Sequence, residues 1–164
     1  MSFSRKQDVD AVFAAMGKAL CVIEFTPDGL VLDANDNFLR AVDYEQVEIK
    51  DRHHSMFMND AIWTGADYAS FWHMLLLGER MEARRSPYLA KDGRMVWFHG
   101  SYTPVFDRHG RVCKVVKVAA DVTAEHLRDL EAEILTGGID PSRLGAPVPI
   151  IPVMAAAAGI TMVA

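Results

Sequence analysis

The stretch RMEARRSPYLA (80–90), KDG (91–93), RMVWFHGSYTPVF (94–106), DRHG (107–110), RVCKVVKVAADV (111–122) decides the architecture. Two short turns rich in Asp and Gly separate three runs in which aromatic and other apolar residues recur, the last two of them carrying β-branched residues. Turns this short join antiparallel neighbours, because a parallel pair needs a crossover of about a dozen residues or more. Arg80–Ala90, Arg94–Phe106 and Arg111–Val122 are therefore predicted as consecutive antiparallel strands.

Upstream, Leu20–Thr26 and Leu30–Asp33 read as a hairpin about the turn Pro27-Asp28-Gly29. Between hairpin and strands, short helical pieces are expected near Asn37–Val42 and Glu45–Ile49. A longer helix follows over Ala66–Leu77, with Tyr68, Phe71, Trp72 and Leu75 on one face and Gly78 as its stop. At the N-terminus Ser4 and Gln7 form a capping-box signature, and Val9, Val12, Phe13 and Met16 make one helical stripe. Thr123 is the expected N-cap of a last helix carrying Leu127, Leu130 and Ile134, which Gly137-Gly138 ends. The fold class is thus α+β: a five-stranded antiparallel sheet with helices over one face. The divisions are a flanking helix (1–18), a core domain (19–123), a second helix (124–136) and a tail rich in Pro and Ala (137–164), uncharged from Gly145 onward.

Composition narrows the function. The chain has 164 residues, and its net charge of −5 with no basic stretch argues against nucleic-acid partners. Two cysteines, Cys21 and Cys113, are too few for a disulfide framework, and no secretory h-region follows Met1, so a cytoplasmic setting is expected. Gly145–Ala164 carries no charge, but Pro147, Pro149 and Pro152 would break a spanning helix, so it reads as a tail rather than a membrane segment. Nucleophile-elbow, Walker, Cys-x-x-Cys and His-Glu-x-x-His motifs are all missing, and an enzyme is not expected.

Ala19–Thr123 resembles a PAS domain of the kind found in bacterial chemotaxis and aerotaxis transducers. The residues that carry the resemblance are Val22–Leu30, Asp33–Leu39, His53–Phe57, Phe71-Trp72 with Gly78-Glu79, Lys91–Trp97, Ser101–Asp107, Lys114–Val118 and Asp121-Val122-Thr123. It implies a sensor of redox state or oxygen that binds a small molecule or cofactor between sheet and helices. It further implies dimerisation through flanking helices and a relay through the Asp-Val-Thr junction to a downstream signalling protein. A transducer would continue into a long coiled coil, whereas here the apolar stripe stops near Leu135.

Flavin, such as FAD, is the first cofactor the resemblance suggests. Asn35 and Trp72 match residues of aerotaxis-type flavin domains, although Met58-Asn59 stands where those have Arg-His. By the same analogy Phe98, Gly100 and Tyr102 face the cavity, Gly100 leaving room for a flat ring and Tyr102 offering a hydroxyl. Trp97 then lies on the outer face of the sheet, open to a flanking helix or a second subunit. Lys117 shares the inward face of its strand, where a buried ammonium wants an anionic ligand group or a carboxylate such as Glu24 or Asp33. Heme is the alternative, ligated by His53 or His54; neighbouring side chains point apart, so one of the two at most faces the cavity. Met56 offers a second soft ligand, whereas Asp67 stands near the place of the ligand histidine in oxygen-sensing heme domains and excludes that mode. A third reading is a docking module without a cofactor, its cavity filled by Phe38, Phe57, Phe71, Trp72 and Phe98. Neither cysteine lies in the central helices, so flavin–cysteine photochemistry is not expected.

Overall fold

The computed structural model describes residues 4–58 and 65–138. Asn59 and residues 139–164 of the tail lie outside them. Helix α1 (Arg5–Ala19) begins at the expected capping box: the Gln7 amide donates to Ser4 Oγ and the Ser4 amide to Gln7 Oε1. Strands β1 (Cys21–Phe25) and β2 (Val31–Ala34) form the hairpin. Helices α2 (Asp36–Val42) and α3 (Gln46–Ile49), a 3-10 helix (His54–Phe57) and α4 (Gly65–Leu76) follow. Then come β3 (Met81–Leu89), β4 (Met95–Phe106), β5 (Val112–Asp121) and α5 (Thr123–Leu135).

The sheet is antiparallel with strand order β2-β1-β5-β4-β3, so the hairpin joins the meander along β5. Strand alternation sends Ile23, Phe25, Val96, Phe98, Tyr102, Val115, Lys117 and Ala119 to one buried face. Phe38, Phe57, Phe71, Trp72 and Leu75 from the helical layer close over them. No helix among the described residues is long and apolar enough to cross a membrane.

Two local features differ from the sequence-based expectation. Thr123 does not cap α5 with its side chain. Its hydroxyl accepts from the Trp97 amide at 2.9 Å and donates to Asp121 Oδ1 at 2.6 Å, which ties the end of β5 to β4. Strand β3 is interrupted by a bulge between Ala83 and Ser86, where Arg85 takes a left-handed φ of 53°. The extra residue reverses the alternation: Met81 and Ala83 point inward before it, Ser86 and Tyr88 after it.

Candidate functional site

Five polar side chains meet inside the apolar core. His54, the first residue of the 3-10 helix, is fully buried, and so are Tyr88, Tyr102 and Lys117 on the sheet. Tyr68 of α4 closes the other side. The contacts are Lys117 Nζ to Tyr102 Oη, 3.2 Å; Tyr102 Oη to Tyr88 Oη, 2.5 Å; Tyr88 Oη to His54 Nε2, 2.8 Å; and His54 Nδ1 to Tyr68 Oη, 2.9 Å. Tyr102 Oη also approaches His54 Nε2 at 3.1 Å. One proton arrangement satisfies these contacts with a neutral imidazole. Lys117 donates to Tyr102, Tyr102 to Tyr88, Tyr88 to His54 Nε2, and His54 Nδ1–H to Tyr68. The chain runs in a single direction through five strands and helices, and low polarity around it strengthens each bond.

Burial governs the protonation of these groups. Desolvation, helped by the Lys117 charge and by His53, pushes His54 well below the usual histidine range and keeps it neutral. Desolvation likewise lowers Lys117 far below the lysine range, while it raises Tyr88 and Tyr102 and pushes Tyr68 up to about 12. Lys117 Nζ lies 3.7 Å from the Tyr88 ring centroid, 4.8 Å from that of Tyr102 and 5.0 Å from that of Phe98. The carboxylates considered as its partners are engaged elsewhere. Glu24 pairs with Lys114 at 2.7 Å, and Asp33 accepts from the Ala34 amide. Among the described residues Lys117 has phenols and ring faces for company and no ion pair.

Of the residues singled out from sequence, His54, Trp72, Phe98, Tyr102 and Lys117 converge here. Trp72 and Phe25 stand edge-on to the His54 ring at 5.5 and 5.1 Å. His53 turns away: it caps the 3-10 helix by accepting from the Ser55 amide, near Gly29 at the rim. Asn35 is spent on the backbone. Its Oδ1 accepts from the Val22 and Phe38 amides, and its Nδ2 donates to Gly17 O and Leu20 O, so it stitches α1, β1 and α2 together. Gly100 does not keep space for a ring. A Cβ there would stand 2.1 Å from Val118 O and 2.6 Å from Ala119 Cβ, so β5 itself requires the glycine. Trp97 lies on the outer face as expected, its ring centroid 3.9 Å from that of His126 in α5.

Sequence reading placed Tyr68 only as a core residue of its helix and passed over Tyr88. A signal for Tyr88 was present. Met81 and Ala83 share one parity in β3, and the large apolar Tyr88 has the other, which a bulge alone reconciles.

Comparison with known proteins agrees with this architecture. The family model described as "PAS fold" matches residues 13–127. The chain belongs to the PAS family. This PAS chain is 38% identical over 111 residues to the biofilm dispersion protein BdlA of Pseudomonas aeruginosa, an alignment covering 68% of the chain and 26% of that protein. It therefore spans about a quarter of the length of that relative. Among solved structures, a flavin-analogue light-oxygen-voltage domain superposes with a TM-score of 0.58 at 19% identity, over 78% of this chain and 98% of that one. An RNA-binding light-oxygen-voltage receptor gives 0.64 at 18% identity over 82% and 38%. The PAS domain of the fruit-fly ELK potassium channel gives 0.55 at 13% identity over 70% and 97%. At such identities the likeness is one of fold.

Proposed function

We propose that this PAS domain is a sensory input module that reads redox state or oxygen through a cofactor seated at the His54–Lys117 cluster, and that it is not an enzyme. The observation that carries the reading is Lys117. An amine buried without a counter-charge costs stability, and an apolar residue would serve a purely structural core better. A polar chain kept in the middle of a core is a site in waiting for a ligand.

The residues suit an imidazole-ligated heme better than a flavin clasped by Asn35. His54 is buried and neutral, Tyr68 orients its Nδ1–H, and Nε2, which accepts from Tyr88, is the atom that would turn to a metal once Tyr88 gave it up. Asn35 and Gly100, on which the flavin analogy leaned, are committed to backbone contacts. Flavin remains the second reading, supported by the aromatic walls Trp72 and Phe98, the donors Lys117 and Tyr102, and the flavin named for a fold neighbour. When bound, either group supplies electron transfer, and heme also a site for oxygen. The chain's own part is to hold His54, to offer Lys117 to an anionic group, and to exclude water. Phe71, Trp72 and Tyr68 all lie on α4, so outward movement of that one helix opens the cluster.

Freshly purified protein should be coloured. A Soret band near ~400–430 nm means heme, and bands near ~375 and ~450 nm that bleach with dithionite mean flavin, these being properties of the free chromophores. A colourless protein that takes up neither group on reconstitution would sink the cofactor reading. It would favour docking alone, which the mutual packing of Phe38, Phe57 and Phe98 supports.

The partner proposed for α1 is a second copy. Val9, Val12, Phe13 and Met16 form a stripe 48–66% exposed on a helix that buries nothing. An apolar stripe of this kind is hidden by self-association. Phe13→Asp should turn a dimer into a monomer by light scattering. An unchanged dimer would move the interface elsewhere.

A further inference from the structure

We propose that the β3 bulge at Arg84–Arg85 is the mechanical link between the buried cluster and helix α5. This deepens the function proposed above and rests on the cluster being the input.

Three consecutive features of β3 carry the inference. Arg85 holds a φ of 53°, a left-handed conformation that residues with a side chain adopt only where the surroundings enforce it. Its guanidinium leaves the strand outward and forms an ion pair with Asp129 of α5. Immediately after it the chain turns inward: buried Ser86 faces the Tyr102 hydroxyl, and Tyr88 meets His54. One short segment therefore grips the signalling helix with one residue and the sensing cluster with two others.

The bulge is also what allows Tyr88 to be there. Without the extra residue the alternation of Met81 and Ala83 would continue, putting Arg85 in the core and Tyr88 on the surface. Bulged and regular β3 are thus two discrete arrangements with opposite faces, the kind of bistable element that converts a small change into a large one. A half-exposed ion pair in water contributes little to stability, so Arg85–Asp129 biases the choice between the two without freezing it.

The relay follows. When a ligand takes His54 or Lys117 as its partner, the Tyr102–Tyr88–His54 bonds rearrange and the bulge loses its inner anchor. Arg85 then swings from Asp129, and α5 loses that tie while the Trp97–His126 contact and the Thr123 junction stay in place. This route is separate from the Asp-Val-Thr junction, which leaves β5 rather than β3.

Hydrogen exchange of the α5 amides tests it on the full chain, with no cofactor required. Tyr88→Phe deletes one hydroxyl and keeps the ring; it should speed α5 exchange about fivefold or more, the lower end of coupling between sites. Arg85→Ala should do the same, and the double variant should add nothing further. Coupling is reciprocal, so Asp129→Asn should speed exchange of the Ser86 and Tyr88 amides while β1 stays protected. The proposal is overturned if Tyr88→Phe leaves α5 unchanged, or accelerates it equally with and without Arg85. Should Tyr88→Phe fail to fold, Asp129→Asn decides alone: Ser86 and Tyr88 amides that stay as protected as in the wild type overturn the link. A colourless protein would leave this test intact, and a failed link would leave the spectrum untouched.

Discussion

Lys117→Met is expected to make the protein more stable at neutral pH, by about 1–4 kcal/mol, the range found when buried charged groups give way to apolar residues of like volume. The folded chain surrounds this amine with the Tyr88, Tyr102 and Phe98 rings and gives it one hydroxyl, at 3.2 Å, in place of water. Methionine keeps the length of the side chain and drops the charge. The pH dependence separates this cause from better packing. Burial lowers the folded pKa of Lys117 below its ordinary 10.5. Between those two values the unfolded chain binds a proton that the folded chain does not. Wild-type stability therefore rises with pH through that window, by up to about 1.4 kcal/mol per pH unit for one proton. The variant lacks this rise, so its advantage should shrink as pH climbs toward 10.5. The buried tyrosines are common to both proteins and cancel in the difference. Urea midpoints of the pair from neutral pH upward measure it, and parallel curves would mean that Lys117 is solvated or paired. The same variant should lose any ligand that brings an anionic group to the cluster.

The sheet was legible because its signals are local. Lys91-Asp92-Gly93 and Asp107–Gly110 mark the turns, and runs with recurring apolar and aromatic residues flank them. Alternation grouped Lys117 with Val115 and Ala119, the resemblance to PAS domains turned that face inward, and Lys117 is indeed buried. What stayed hidden depends on contacts between distant segments. Alternation says that His53 and His54 diverge but not which one enters the core. That choice is made by an isolated bridge between Leu30 and His53 and by the cap His53 provides. Asn35 invited a ligand reading because its motif matched, yet its four bonds go to backbone groups that only the packing of α1 against α2 assembles. Gly100 invited one because absent side chains look like space, whereas β5 fills the gap. The β3 bulge has no residue signature of its own. A break in parity between Ala83 and Tyr88 was its trace in the sequence.

His54→Ala should be the most damaging single change in the site, costing about 3–5 kcal/mol, as truncation of a large buried ring does. Two effects add. The cavity lies among Phe25, Trp72 and Phe71, and the Tyr68 and Tyr88 hydroxyls lose a fully buried partner. His53→Ala, one position away, should cost less, about 1 kcal/mol, because it removes a half-buried cap on a short 3-10 helix. The acid limb of stability gives a second readout. Burial holds the folded pKa of His54 below its ordinary 6.5. The unfolded chain therefore binds the extra proton in acid, and wild-type stability falls as pH drops below about 6.5. His54→Ala should lack that part of the fall, while His53→Ala should retain it. In the visible spectrum, loss of a Soret band in His54→Ala but not in His53→Ala would assign the ligand. Flavin bands that survive both changes would move the cofactor to the aromatic walls. If His53→Ala were the more damaging of the two, the inward position of His54, and with it the hydrogen-bonded chain from Lys117 to Tyr68, would be wrong.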